Sequence, residues 1–419
     1  MKRHRVVVTG MGVVSPLGNQ VNEFTAALLA GRSGIAEITL FDASHLPTHI
    51  AGESQLPSDA PLGDRKIAFA LEAARQALED SGRDEGRAKR GIDADAGISL
   101  GVGLELFNMP DLVRSNTPGF RLPGELTQRL GFMQTPSDVC VHAIAARHGL
   151  GAPPEIHVSA CAAGTDALGH ALRLIASGRR RWVLAGGTDS MLNPLGVAGF
   201  CALGATSTRN AEPTRASRPF DARRDGFVMG EGAGMLVLER LSDARARGAR
   251  IYAELAGFGS SFDAFKIADP HPEGRGAWQA MARALNDARL EPSDVDYVNA
   301  HGTSTPKNDP AETLAIKRLL GERALRVPVS STKSMIGHLI SAAGAVEAVA
   351  TIGCMLRGQV HPTINLEEPD PACDLDYVAE GARQASVRHA VSSSYGFGGH
   401  NASIVLRHPE EIDRWSDDA

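Results

Sequence analysis

Short apolar runs of strand type recur along this chain with helical stretches between them, and that alternation restricts the fold more than any other feature. Strand-like runs cover residues 5–9, 96–100, 155–159, 181–185, 234–239, 252–258, 295–299, 389–394 and 401–406. Between them, residues 64–81 carry Ile67, Leu71, Ala74 and Leu78 at helical spacing before Gly82. Residues 341–357 form a second strong helix closed by Gly358. Alternation of this kind predicts an α/β fold with helices covering sheets. The charged helical stretch 241–250 precedes a fresh strand, so the expected division falls near residue 250, giving halves 1–250 and 251–419 with a sheet each. There is no short-period repeat or low-complexity tract, and residues 207–225 read as an arginine-rich loop.

Composition narrows the functional classes. The 419 residues have room for two domains or one large double domain. Glycine is plentiful, 45 residues against a usual ~7%, and aromatics are only 5%, a balance that fits close-packed layers with tight turns. A net charge of -6 gives no basic footprint for nucleic acid. The five cysteines, at 140, 161, 201, 354 and 373, are odd in number and free of any CxxC, which argues against a disulfide framework or a thiolate zinc site and for the cytoplasm. The basic start lacks the apolar stretch and cleavage site of a signal peptide, and residues 342–356, the longest membrane candidate, are interrupted by Glu347, so a soluble protein without a membrane span is expected. Gly10-Met11-Gly12 after a strand imitates a dinucleotide fingerprint, but the third glycine is missing and Asp42 lies too far along for the ribose. A tight turn accounts for those glycines, and no cofactor is expected.

Three residues carry the chemistry. Cys161 stands in Val158-Ser159-Ala160-Cys161-Ala162-Ala163-Gly164, where a strand signal gives way to a helix expected over 162–177 with Gly178 as its stop. There the sulfur would face unpaired backbone N–H groups and the positive end of the helix dipole, which favour a thiolate nucleophile. The alternative is a buried packing cysteine. His301, in Asn299-Ala300-His301-Gly302-Thr303-Ser304-Thr305, follows the strand 295–299. His338 ends Ser331-Thr332-Lys333-Ser334-Met335-Ile336-Gly337-His338 after the short strand 327–330. Either histidine alone reads more readily as a satisfied structural group. A cysteine and two histidines at similar junctions point instead to a nucleophile with imidazole partners.

Taken with residues 6–18 (VVVTGMGVVSPLG), 217–234 (SRPFDARRDGFVMGEGAG), 301–306 (HGTSTP), 332–344 (TKSMIGHLISAAG) and 395–401 (YGFGGHN), nearly the whole chain resembles the β-ketoacyl-acyl-carrier-protein synthases, the elongating condensing enzymes of the thiolase-like superfamily. The resemblance implies a layered αβαβα architecture of two similar halves with mixed five-stranded sheets. Cys161 would hold an acyl group, malonyl carrier protein would lose CO2, and His301 and His338 would stabilise the enolate before it attacks the acyl thioester. The backbone N–H groups of Cys161 and Phe397 would form the oxyanion hole, with Gly398 and Gly399 giving that loop its freedom. Phe397 would also gate the acyl pocket, which Leu104 and Phe200 help to shape.

Lys333 would support the site, paired with Glu347 if buried, while Glu312 is a weaker candidate whose plain reading is a solvent-facing acid. Arg65, Lys66 and Arg209 match basic positions that meet the acidic carrier protein, acyl- or malonyl-loaded through phosphopantetheine. A homodimer with no metal completes the expectation. Residues 101–110 and Gly164-Thr165-Asp166-Ala167-Leu168-Gly169 depart from the common fatty-acid pattern, so the ketosynthase of a specialised polyketide or polyene pathway is the alternative. His400 is a possible third imidazole near the site. A degradative thiolase would carry a second cysteine where this chain has GFGGHN, an initiating synthase would prefer Cys-His-Asn, and a non-catalytic chain-length partner would lack Cys161.

Overall fold

The computed structural model describes residues 3–56, 64–83, 91–104, 106–107, 113, 115–119 and 134–414. Ten strands build the main sheet: β1 (Val6–Val14), β2 (Ala96–Val102), β3 (Glu155–His157), β4 (Trp182–Asp189), β5 (Gly232–Arg240), β6 (Ala253–Phe262), β7 (Tyr297–Asn299), β8 (Val329–Ser330), β9 (His389–Gly396) and β10 (His400–Arg407). Each run expected from the sequence is present, several of them longer. The order across the sheet is β8-β7-β9-β10-β6-β1-β5-β4-β2-β3. Read outward from the centre, β1-β5-β4-β2-β3 and β6-β10-β9-β7-β8 are the same arrangement shifted by five strands, with the same parallel and antiparallel pairings. The two expected five-stranded sheets are thus joined edge to edge, through Val7 and Val8 of β1 against Glu254 and Ala253 of β6.

Helices α1 (Arg65–Asp80) and α2 (Val139–His148) cover the outside of the first half. Next along the chain come α3 (Ala163–Ala176), α4 (Arg275–Ala288), α5 (Asn308–Leu320) and α6 (Ala343–Arg357). α4 and α5 cover the second half, while α3 and α6 lie between the halves and touch strands of both, completing an αβαβα stack. On α1, Ile67, Leu71, Ala74 and Leu78 are buried, as their spacing requires. The central α6 is buried from Ala343 to Met355, so Val346, Val349, Ile352 and Met355 each contribute roughly 1.5–3 kcal/mol of burial. Residues Ile340–Arg357 are long and apolar enough to cross a membrane by composition, but 89% of that span is buried, which marks a core helix.

One local expectation is corrected. Gly10 and Gly12 are not in a turn: β1 runs through them to Val14. A Cβ at Gly10 would lie 2.1 Å from the Ala77 carbonyl oxygen, and one at Gly12 2.0 Å from that of Ala73, so the glycines let α1 lie against the strand. Leu104, expected to project into the acyl pocket, stands at the surface of the single chain. It is 63% exposed at the end of β2, because the backbone leaves the sheet there. Of the segment singled out with it, Glu105 and residues 108–110 lie outside the described residues.

Candidate active site

The repeat of the halves explains how distant residues meet. β3 leads to a 3₁₀ turn, Ala160–Ala162, and then to α3. β8 leads through a short helix, Lys333–Ile336, to the 3₁₀ turn Ile340–Ala342 and α6. The turns match residue for residue, Ala-Cys-Ala-Ala-Gly against Ile-Ser-Ala-Ala-Gly. Each starts on a non-glycine with positive φ, 50° at Ala160 and 46° at Ile340. Such backbone is strained for an L residue and turns the next side chain sharply out of the helix line. The helices then approach so closely that a Cβ on Gly344 would fall 1.9 Å from Thr165 Oγ1. At the matching position one copy carries Cys161 and the other Ser341.

Cys161, His301 and His338 converge: one S or N atom from each lies within 4.8 Å of the others, and all three residues are buried. The imidazole rings stand nearly perpendicular, centroids 5.2 Å apart. Tyr395 packs edge-on against His301 and Phe227 against His338. The Ile340 N–H donates to His338 Nδ1 at 3.1 Å, leaving Nε2 as the donor. Neither His301 Nδ1 nor His338 Nε2 has a protein hydrogen-bond partner. Burial, reinforced by the Lys333 charge, holds both imidazoles well below their ordinary pKa and therefore neutral near pH 7.

The cysteine itself overturns an expectation. Burial pushes its thiol up to about 11, against the pull of Lys333 and of the Phe397 and Cys161 backbone amides. Desolvation wins because the sulfur is enclosed and the α-helix proper begins two residues later. Those same two amides are the expected oxyanion donors, and both address the sulfur's surroundings. Gly398 and Gly399 have φ of 90° and 83°, a conformation costly for other residues, and Gly396 approaches Ser159 and Cys161 too closely for a side chain. Phe397 is half-buried in an apolar cluster with Cys161, Phe200, Phe227 and Ile340, its ring 6.4 Å from that of Phe200.

Lys333 and Glu347 form a fully buried ion pair, so neither is a surface charge. Glu347 is raised by burial, which Lys333 opposes. Glu312 is also buried rather than solvent-facing. Its carboxylate accepts the N–H of His301 at 2.7 Å and of Gly302 at 2.8 Å, fixing the histidine loop, and burial lifts it to about 7. The docking residues divide. Arg65 binds Glu231 and the Ser54 carbonyl, and Lys66 is buried with Asp64 at 2.9 Å and the Leu104 carbonyl, so these two act inside the fold. Only Arg209, half-buried beside Asp225, keeps a partly open position.

Several contributors were not foreseen. Arg224 donates to the Thr305 and Pro306 carbonyls and the Arg218 N–H to Ser304 Oγ, so the arginine-rich loop clamps residues 304–306. Asp166 on α3 accepts from Ser159 Oγ at 2.5 Å and pairs with His400 Nε2 at 2.8 Å, which raises that imidazole. His400 is therefore tied beside the cysteine turn. A cleft opens to solvent past Thr303, Thr305, Lys307 and Phe397 and ends on Cys161, His301 and His338.

Comparison with known proteins agrees with this geometry. Residues 3–244 match the model of the β-ketoacyl synthase N-terminal domain and residues 252–367 that of its C-terminal domain. A 3-oxoacyl-[acyl-carrier-protein] synthase 2 of Coxiella burnetii is 44% identical, over 97% of this chain and 99% of its own length. The tetracenomycin polyketide synthase ketoacyl synthase alpha subunit of Streptomyces glaucescens is 41% identical over 98% and 99%. Among solved structures, a type II polyketide ketosynthase in complex with its acyl carrier protein and bound to a hexaketide superposes with a TM-score of 0.86 at 35% identity, covering 97% of this chain and all of that one. A β-ketoacyl synthase from Burkholderia phymatum gives 0.84 at 37%, covering 97% and 99%.

Proposed function

The chain belongs to the β-ketoacyl synthase family, and on that premise we propose how its residues divide the work. The enzyme condenses an acyl group with malonyl-acyl-carrier-protein in fatty-acid elongation, releasing CO2 and β-ketoacyl-acyl-carrier-protein. The observation that carries the assignment of roles is the convergence of one thiol and two neutral imidazoles at the end of a single cleft.

In the first half-reaction Cys161 Sγ attacks the acyl thioester. Its thiol is protonated at neutral pH, so the proton must leave as the S–C bond forms. The lone pair of His338 Nδ1 is taken by the Ile340 N–H, which leaves His301 to accept that proton and pass it to the departing carrier thiolate. In the second, the malonyl C–C bond breaks, CO2 departs and charge gathers on the thioester oxygen. His338 Nε2–H and a His301 N–H donate to it, from buried side chains whose hydrogen bonds count for more than they would in water. The enolate carbon attacks the Cys161 acyl carbonyl, the Cys161 and Phe397 amides hold the tetrahedral oxyanion, and collapse expels the cysteine thiolate, which takes up one proton from solvent through the cleft.

The nucleophile and the two histidines come from opposite sides of the division proposed near residue 250. We place the protein in a reducing cytoplasm, supported by five free thiols. We place it in a homodimer as well: β3 ends the sheet, and Ile156, Val158 and Leu104 are exposed around it, an apolar edge that a second copy would cover. A change from dimer to monomer in Val158→Asp, read by light scattering, tests that contact. Mass spectrometry of Cys161 after mixing with acyl carrier protein tests the function. An adduct of acyl mass on that residue is expected, and its absence with an active carrier sinks the reading. Turnover against acyl-carrier substrates of increasing length then separates fatty acyl from polyketide use.

A further inference from the structure

A second cluster of donor side chains joins β3 to α3. Glu155 and His157 are two apart on β3, so they share a face of the strand, and His170 reaches them from α3. Glu155 Oε2 is 3.7 Å from His170 Nδ1 and 4.0 Å from His157 Nε2, and one donor atom from each residue lies within 4.8 Å of the others. The His157 and His170 rings are 4.7 Å apart between centroids. Glu155 Oε2 is shut off from solvent and accepts no hydrogen bond, an unsatisfied carboxylate oxygen facing two imidazoles. Phe258 packs at 6.2 Å on His170, giving one apolar wall, while His170 stays 44% exposed and leaves a way in.

We propose that Glu155, His157 and His170 bind a divalent transition-metal ion of the zinc type. Two imidazole nitrogens and one carboxylate oxygen are the donor set such an ion prefers, with water completing the shell. Around a tetrahedral ion with arms of about 2.0–2.1 Å, donors stand roughly 3.4 Å apart, so Glu155 Oε2, 3.7 and 4.0 Å from the two histidine nitrogens, lies near that spacing, and the histidine nitrogens, within 4.8 Å of each other, close on the ion by side-chain rotation. The Ser99 hydroxyl donates to the Ala167 carbonyl at 2.8 Å and accepts from His157 Nε2 at 3.0 Å, so metal binding at Nε2 gives up that one hydrogen bond and moves the ring hydrogen to Nδ1. The ion would clip the sheet's last strand to the helix that follows Cys161, a structural role separate from condensation.

The test uses the tag-free Cys161→Ala chain, because Cys161, His301 and His338 are themselves a compact donor set. After chelator stripping, the chain is equilibrated with buffered micromolar Zn2+ and its metal content is measured. One zinc per chain is expected, with affinity falling about tenfold or more in His157→Asn and in His170→Asn. A zinc-dependent rise in melting temperature should vanish with them. Should those variants misfold by circular dichroism, Glu155→Gln supplies the same reading. No zinc retained, or zinc retained undiminished in the variants, overturns the proposal.

Discussion

Replacing Lys333 by methionine leaves the Glu347 carboxyl buried on α6 without its counter-ion, and the consequence should depend on pH in a calculable way. With no partner the carboxylate is forced to take up a proton, so the folded pKa rises well above the ordinary 4.5 that the unfolded chain keeps. A carboxyl whose pKa is raised on folding destabilises the native state above the unfolded pKa, and increasingly so as pH rises. At about 1.36 kcal/mol per unit, holding Glu347 neutral costs roughly 4.8 kcal/mol at pH 8.0 and roughly 2.0 kcal/mol at pH 6.0. The upper figure agrees with the ~3–5 kcal/mol typical of breaking a buried pair. Urea unfolding at both pH values measures the loss, and Lys333→Met/Glu347→Leu should recover most of it, since no charge is then stranded. Equal losses at the two pH values, or no recovery in the double variant, would show that the ion pair is not what Lys333 contributes.

Other outcomes follow from the same geometry. His338→Ala should slow CO2 release from malonyl carrier protein about 10²–10³-fold while Cys161 still takes up an acyl group, because only the enolate donor is lost; unchanged CO2 release contradicts that role. Burial and Lys333 hold both imidazoles well below 6.5, so the decarboxylation rate should stay flat from about pH 8 down to about pH 6. A limb centred near 6.5 would mean that one of the rings is solvated. Gly396→Ala brings a Cβ to 2.9 Å from the Ser159 carbonyl oxygen and 3.3 Å from the Cys161 nitrogen, so the loop must retreat and condensation should fall with the fold intact by circular dichroism. Full activity in that variant would place the oxyanion donors elsewhere.

How far the chain could be read in advance varied with the physics behind each signal. Strand runs and the spacing of Ile67, Leu71, Ala74 and Leu78 are local, since periodicity alone decides which face is apolar. Gly10 and Gly12 deceived because a glycine is the same letter whether it serves a turn or the close approach of α1. Lys66 and Arg65 carry surface-type charges, and only the fold shows that Asp64 and Glu231 wait for them inside. Glu312 was taken for a solvent-facing acid because helical position says nothing about a loop arriving from β7 to be held by its carboxylate.

The amino-acid order by itself settled which residue types stand at which junctions: a cysteine and two histidines, each after a strand, in an α/β chain whose motifs name a family. Tertiary structure decided what their surroundings do to them. It joined the two halves through β1 and β6, brought two matching strained turns face to face, kept both imidazoles neutral and raised the thiol instead of lowering it. The reason is that bonding pattern and side-chain periodicity act over a few residues, whereas desolvation and charge pairing depend on what packs nearby from hundreds of residues away.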